Sequence, residues 1–157
     1  EISGRSLRDL SGQMAEHGPT DSTPGGEALA STATGFRYEA QFVEAPGGGC
    51  AATEISLDVE SIYEMPRWLE YEKASKKLRA QWDKIYESLW IHERGHGEIA
   101  RRGANLLYSE LTKIPPAADC ETLQAEMKEM VKYVGNTIIA PAQRKYDRKQ
   151  RNEAPSE

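Results

Sequence analysis

The sequence predicts an α+β domain in which a small antiparallel sheet packs on a long helix and a C-terminal helix. Three observations indicate this class. Two segments with alternating apolar and polar residues flank a Gly-rich turn. A long segment with apolar side chains every three or four positions follows them, and a second helical pattern ends the chain.

The first part of the chain predicts a short helix followed by an irregular loop. Leu7, Leu10 and Met14 fall at helical spacing within residues 5–16. Residues 17–35 are rich in Gly, Pro, Ser and Thr, which favours a loop over regular structure.

The next part predicts a β-hairpin. Apolar and polar residues alternate over residues 36–42 and again over residues 55–59, and the Pro- and Gly-rich residues 45–49 between them indicate a turn. The side chains expected to face inward are Phe36, Tyr38, Ala40, Phe42, Ile55, Leu57 and Val59.

Residues 75–114 predict one long helix, because apolar residues recur every three or four positions and no proline interrupts them. The length exceeds the usual range, so a break near Gly95–Gly97 or Gly103 is an expectation. Pro115 ends the helix, since proline lacks the amide proton that a helix interior requires.

A last helix is expected after Asp119, which suits the N-cap position. Gly135 and Pro141 should weaken or kink it. We expect one domain over residues 1–153 and a frayed tail at residues 154–157.

Composition restricts the partners. The net charge is −5, and no stretch of about 18 apolar residues exists that would predict a membrane span. The basic stretch 144–151 is interpreted as a solvated helix end whose cations lie near the C-terminal dipole. Nucleic acid is therefore not an expected partner.

One motif predicts chemistry. Residues 92–96 read HExxH, with His92 and His96 at positions i and i+4 of the long helix. Such residues lie about 40° apart around the helix axis and about 6 Å apart along it, so both imidazoles can reach one metal ion. Neutral imidazole is a good ligand for Zn²⁺. Glu93 projects beside the metal, where a carboxylate can take a proton from the attacking water.

An alternative metal assignment fits less well. Glu93 and His96 also match the ExxH element of di-iron helical bundles, but such a site needs a second element and the remaining histidine, His17, has none. Arg94 is a departure from the usual peptidase pattern, because it places a charge inside the motif.

The third metal ligand stays open at this stage, although a catalytic zinc site usually has three protein ligands and a water. His17 lies in the predicted loop and is a weak candidate. Spacing does not select among the carboxylates of the last helical region, which are Glu121, Glu126, Glu129 and Asp147. The two cysteines, Cys50 and Cys120, are compatible with a disulfide or with two separate thiols.

Together these residues resemble a bacterial domain-of-unknown-function family described as predicted secreted zinc-dependent proteases. The resemblance covers nearly the whole chain. It is carried by Ile2-Ser3-Gly4, Leu7, Leu10, His17-Gly18-Pro19, Phe36, Tyr38, Cys50, Pro66-Arg67-Trp68, Trp82, the HExxH motif, Ile99-Ala100, Cys120 and Tyr146-Asp147.

The resemblance implies a zincin-like fold, a Cys50–Cys120 disulfide and a secreted or periplasmic location, with a signal peptide already removed. It also implies a role for the segment after Tyr146, which in the family reads Tyr-Asp-x-x-Thr-x-His-Gly. Here Asp147 is retained, whereas the threonine, histidine and glycine are replaced by Gln150, Asn152 and Glu153.

The replacement leaves two interpretations of the resemblance. If the family's third ligand is the histidine, Asn152 is a poor substitute and the zinc site is weakened. If the ligand is the aspartate, Asp147 completes the site, and Tyr146 is expected to help stabilise an oxyanion.

The leading hypothesis is a secreted zinc-dependent metalloendopeptidase with Zn²⁺ as cofactor and a peptide or protein as substrate. Glu93 is its general base, His92 and His96 hold the metal, and Asp147 is the candidate third ligand. The alternative is a non-catalytic binding protein of the cell envelope on a zincin scaffold, with a weakened or structural metal site. The sequence does not predict the oligomeric state.

Overall fold

The computed structural model describes residues 1–19 and 28–153, and side chains as far as residue 150. The predicted tail at residues 154–157 lies outside the described residues. An α+β architecture with a two-stranded antiparallel sheet is confirmed. Its elements are α1 (Leu7–His17), β1 (Ser31–Glu44), β2 (Cys50–Glu64), a short 3₁₀ turn (Tyr71–Lys73), α2 (Lys76–Leu111), α3 (Cys120–Tyr133), a π-helical segment (Val134–Ile139) and α4 (Ala140–Glu153).

Helix α1 forms where the spacing predicts it. Ser6 caps its N-terminus, because the serine hydroxyl accepts a hydrogen bond from the amide of Asp9. Leu10 and Met14 are buried, and Gly18 ends the helix.

The strands are longer than the alternating pattern predicts, and the predicted loop is wrong over residues 31–35, which belong to β1. Residues 20–27 of that loop lie outside the described residues. Small polar residues such as Ser31 and Thr32 lack an apolar signal, so pairing with β2, rather than side-chain burial, makes them a strand.

Three consecutive glycines make the hairpin turn. Gly47, Gly48 and Gly49 have φ values of 98°, 96° and 88°, in the left-handed region that favours glycine. Gly49 is also sterically required, because a Cβ there would lie 2.2 Å from the carbonyl oxygen of Ala117. The next residue, Cys50, pairs with Ala117 through two backbone hydrogen bonds of 2.9 Å.

The set of residues that faces the core changes from even to odd positions in the middle of strand β2. Cys50 and Ala52 pack on the apolar core, and then Ile55 and Leu57 do so, which moves the inward face from even to odd positions. Glu54, between the two pairs, has a φ of 50°. This is the signature of a β-bulge, in which one extra residue is inserted into a strand.

One predicted inward residue of β2 is wrong. Val59 is 36% exposed. The apolar alternation therefore ends with Leu57, two residues earlier than the pattern predicts.

The chain divides into two compact units. The first contains Glu1–Ala33 and Ser61–Gly95, and its core is Ile2, Leu10, Met14, Trp68 and Trp82. The second contains Thr34–Glu60 and the chain from His96 onward, and its core is Cys50, Leu107, Leu111, Leu123, Met127, Val134 and Ile139. A single domain over residues 1–153 stays a prediction.

Helix α2 runs from Lys76 to Leu111 as one α-helix, so the expected break at Gly95–Gly97 or Gly103 is wrong. Gly103 serves close packing instead. A Cβ at Gly103 would lie 2.4 Å from Cγ1 and Cδ1 of Ile139, so the absent side chain leaves room for that isoleucine.

The last helical region begins and bends as expected. The Asp119 carboxylate accepts a 2.7 Å hydrogen bond from the amide of Thr122 and caps α3. The predicted weakening at Gly135 and Pro141 takes the form of the π-helical segment, where the amide of Ala140 bonds to the carbonyl of Gly135, five residues earlier.

The disulfide that the resemblance implies is confirmed. Cys50 and Cys120 are bonded and join the start of β2 to the first residue of α3. In the described part of the chain, no helix is both long and apolar enough to cross a bilayer.

Replacing Gly103 with alanine should lower the free energy of unfolding by about 1–2 kcal/mol. Overpacking against Ile139 costs about 1–3 kcal/mol, and the better helix propensity of alanine offsets up to about 1 kcal/mol of it. The matched control is Gly12→Ala in α1, where a Cβ meets nothing within 4 Å and a gain in stability is expected. Urea unfolding followed by circular dichroism measures both. Equal stabilisation by the two substitutions would contradict the packing role of Gly103.

Removing the disulfide should lower the free energy of unfolding by more than the Gly103→Ala substitution does. The bonded residues are 70 positions apart, and the entropy of a loop of this length corresponds to about 4 kcal/mol. We expect the double substitution of Cys50 and Cys120 to alanine to lower the free energy of unfolding by about that amount and to abolish any effect of reductant. Two titratable thiols in the unreduced parent protein would show the pairing to be wrong.

Candidate metal centre

The middle of α2 carries the HExxH motif. His92 and His96 are one helical turn apart on an uninterrupted α-helix, as the motif requires. Arg94 is exposed, so its charge is solvated despite its place inside the motif.

The structure brings three of the predicted ligands together. His92, His96 and Asp147 each offer one ligand atom, and these atoms lie within 4.8 Å of one another. Asp147 comes from α4, so the third member of the cluster is separated in sequence from the motif by about fifty residues. Whether the cluster binds a metal stays a prediction.

One face of α4 surrounds His96. Gln143, Tyr146 and Asp147 have the spacing i, i+3 and i+4, which places them on one side of a helix, and all three are partly buried. The Tyr146 ring packs edge-on against the His96 ring with 5.1 Å between centroids. Asp147 Oδ1 lies 2.9 Å from His96 Nε2.

Gln143 makes two contacts with His96. Together they indicate which atoms of the amide and of the imidazole ring are hydrogen-bond donors. Its Nε2 donates to the main-chain carbonyl oxygen of His96 at 3.0 Å, and that oxygen can only accept. The amide is therefore oriented with Oε1 toward Nδ1 of the His96 ring, at 2.5 Å, so Nδ1 is the donor in this contact. Gln143 was not identified from the sequence, although its spacing from Tyr146 and Asp147 could have indicated it.

The opposite ring nitrogen of His96 consequently has the chemistry of a metal ligand. A neutral imidazole has one proton, and with that proton on Nδ1 the Nε2 atom presents a lone pair toward Asp147. Two acceptors 2.9 Å apart attract each other only through a positive charge, which is either a second ring proton or a metal ion.

The donor set fits a small divalent cation. Two imidazole nitrogens and one carboxylate oxygen form a common ligand set of catalytic zinc. With bonds of about 2.1 Å, two ligands of a tetrahedral zinc lie about 3.4 Å apart. The ligand atoms lie within 4.8 Å of one another, and His96 Nε2 is 2.9 Å from Asp147 Oδ1, so these distances lie on either side of that separation.

Glu93 has a different environment from the cluster. It is 4% exposed, and the Thr32 hydroxyl contacts it twice, at 2.6 Å from Oε2 and at 3.1 Å from its main-chain carbonyl oxygen. The shorter contact is to the carboxylate, which is the stronger acceptor of the single hydroxyl proton. Thr32 was not identified from the sequence, because it lies in the segment predicted as a loop.

The other sequence candidates for the third ligand lie elsewhere. Glu121, Glu126 and Glu129 are exposed on α3, and Glu129 is paired with Lys132. His17 belongs to the first unit, where its half-exposed side chain lies 3.8 Å from Glu16.

The tail residues add no described ligand. Gln150 is exposed, and the side chains of Asn152 and Glu153 lie outside the described residues.

Glu98, two residues after the motif, is held by Arg101 and Arg102, whose hydrogen bonds lower its pKa to about 2.

The fold and the cluster together define an α+β protein with a candidate mononuclear metal centre of two histidines and an aspartate. The chain belongs to the DUF922 family of bacterial proteins of unknown function, whose model matches residues 1–153. The expected membership of a bacterial domain-of-unknown-function family is thereby confirmed, whereas the description of that family as zinc-dependent proteases stays a prediction. Comparison with curated proteins and with solved structures gives no match.

Replacing Thr32 with valine should lower the free energy of unfolding by about 1–3 kcal/mol, because the buried Glu93 carboxylate loses its hydroxyl donor. The control is Thr34→Val, a partly buried position on the same face of β1, where little change is expected. Urea unfolding measures both.

A double substitution tests the assignment further. When Thr32→Val is combined with Glu93→Met, the loss should be smaller than the sum of the single losses, since no buried carboxylate is left without a donor. Equal stability of the Thr32→Val and Thr34→Val proteins would contradict this role of Thr32.

Proposed function

We propose that this protein is a zinc-dependent metalloendopeptidase of zincin-like fold, acting in the periplasm or outside the cell. The observation that carries the proposal is the meeting of two lone-pair donors, His96 Nε2 and Asp147 Oδ1, at 2.9 Å, with His92 one helical turn away. The two atoms attract each other only through a positive charge, from a second ring proton or a metal ion, and two imidazoles with one carboxylate are a ligand set that suits a metal ion.

Zinc is the metal that this donor set favours. Borderline imidazole ligands combined with a single carboxylate suit Zn²⁺ better than Ca²⁺ or Mg²⁺, which prefer sites made of oxygen ligands. Three protein ligands leave a fourth position for water or substrate, as in catalytic rather than structural zinc sites. A bound zinc ion would polarise the substrate carbonyl and lower the pKa of the attacking water.

Glu93 would be the general base. It directly follows His92 on α2, and it lies outside the cluster of ligand atoms, so its carboxylate is available for proton transfer. It would accept a proton from the attacking water and donate it to the leaving amine. The Thr32 hydroxyl, at 2.6 Å, restricts the carboxylate to one orientation.

Tyr146 would act from α4. Its ring packs edge-on against the His96 ring, which keeps the phenol beside the candidate ligands. A phenolic hydroxyl there can donate a hydrogen bond to the oxyanion that develops when the carbonyl is attacked.

The substrate is proposed to be an extended peptide. Among the described residues the β1–β2 hairpin is a two-stranded sheet, so β1 is an edge strand of it. The free side of such a strand can pair with a peptide through main-chain hydrogen bonds. The Cys50–Cys120 disulfide fits an oxidising compartment, which supports the proposed location.

The proposal predicts that the purified protein retains one zinc ion at neutral pH and cleaves an unfolded protein substrate. Glu93→Gln should keep the zinc but reduce cleavage by about 100-fold or more, because only the proton transfer is lost. The matched control is Glu87→Gln, an exposed glutamate of the same helix, which should cleave like the parent. Metal analysis and a fluorescent casein assay make the measurements.

Three results would contradict the proposal in distinguishable ways. If the purified protein holds no zinc even after dialysis against a zinc-containing buffer, the proposed metal site is refuted. Equal cleavage by the Glu93→Gln protein and the parent would refute the catalytic role. Zinc retained by a parent that cleaves nothing would favour the alternative, a non-catalytic envelope protein with a structural metal.

A further inference from the structure

We propose that Gln143 is a positioning residue that presents the Nε2 atom of His96 to the metal. The inference rests on the proposed metal site, although not on peptidase activity. Gln143 contacts the His96 ring and the His96 main chain, and it is therefore placed to determine both the orientation of the imidazole and the site of its proton.

The amide of Gln143 has only one orientation that satisfies both contacts. The main-chain carbonyl oxygen of His96 can only accept, and Nε2 donates to it at 3.0 Å. The remaining amide atom, Oε1, is an acceptor and lies 2.5 Å from Nδ1 of the ring. If the amide were reversed, its oxygen would face the carbonyl oxygen, and the contact with the main chain would be lost.

An acceptor on Nδ1 helps the other nitrogen to bind a metal. Holding the ring proton on Nδ1 leaves the lone pair on Nε2, and the hydrogen bond makes the ring a stronger base. In metal sites, groups that accept this proton contribute about 10- to 100-fold to metal affinity. The ring is fixed on a second side by Tyr146, at 5.1 Å between centroids.

Helix α4 would then supply the ligand and its orienting group together. Asp147 lies one helical turn after Gln143, so both project from the same face toward His96. Two substitutions on one helix should therefore affect the metal differently. Loss of Asp147 removes a ligand, whereas loss of Gln143 weakens a ligand that is still present.

The test compares zinc affinities, measured by competition with a chromogenic chelator, in folded full-length protein. Gln143→Met keeps the length of the side chain and removes both polar atoms, so zinc should bind about 10- to 100-fold more weakly. Gln143→Glu keeps an acceptor for Nδ1 and loses the donor to the carbonyl, so its affinity should equal or exceed that of the parent. The control is Gln124→Met on α3, an exposed glutamine in the same unit, where no change is expected.

The two substitutions at residue 143 separate positioning from simple structural support. If Gln143 only ties α4 to the main chain of α2 through its amide nitrogen, methionine and glutamate lose that bond alike and should weaken zinc equally. Equal weakening, or no weakening in either protein, would overturn the proposal. Rescue by glutamate alone would support it.

A spectroscopic measurement covers the case in which Gln143→Met fails to fold. In the zinc-loaded parent, imidazole ¹H–¹⁵N spectra should show a hydrogen-bonded proton on Nδ1 of His96 and the metal on Nε2. A zinc-loaded parent with the metal on Nδ1 would overturn the inference. A parent that binds no zinc would refute the proposed metal site and the inference together, whereas zinc binding without proteolysis would refute only the peptidase proposal.

Discussion

The packing of α4 on the second half of α2 is the constraint on which the candidate site depends. Three side chains from one face of α4, Gln143, Tyr146 and Asp147, converge on His96. Two imidazoles on one helix would bind a metal weakly without a third ligand. The contact of the two helices therefore turns a common helical spacing into a specific arrangement of donors.

The packing of α4 on α2 depends on a glycine, which has no side chain to take part in metal binding or catalysis. Gly103, two turns after the HExxH motif, leaves the space that Ile139 fills, and Ile139 directly precedes α4. A buried polar cluster is stable only if the apolar packing beside it is tight enough to exclude alternative arrangements. A helix glycine that sequence patterns treat as a breaker serves here as a packing site.

The sequence predicted the parts of the structure that rest on local patterns. The HExxH spacing predicted His92 and His96, one helical turn apart, as candidate ligands, and alternation predicted the middle of each strand. Patterns did not indicate Thr32, which lies in the segment predicted as a loop, and only its spacing from Tyr146 and Asp147 could have indicated Gln143, since both residues act through hydrogen bonds to a residue far along the chain. Spacing left Asp147 as one of four open carboxylates, the family resemblance made it the candidate third ligand, and the fold places it beside His96.

The bulge in β2 was not predicted from the sequence either. A single inserted residue shifts the inward face by one position without changing composition, so the apolar pattern shows only two short alternating runs. The start of β1 was not predicted because it carries small residues, such as Ser31 and Thr32, whose structure comes from backbone pairing.

The π-helical segment at Val134–Ile139 explains how one continuous helical region serves both the core and the site. The inward residues of α3, such as Leu123, Met127 and Val134, would continue in a regular α-helix to Lys145 and Arg148. Those two cations are instead exposed, and Ile139, Gln143 and Tyr146 face inward, one position later than a regular helix would place them.

A π-helical turn adds one residue to a helix and so rotates everything after it by about 100°. Pro141 favours this wider turn, because it has no amide proton for a regular bond and its ring would collide with a carbonyl one turn earlier. The rotation turns Lys145 and Arg148 to solvent and Asp147 toward His96. The irregularity that the sequence indicated only as a weak point in a helix is thus what brings the third candidate ligand to the histidines.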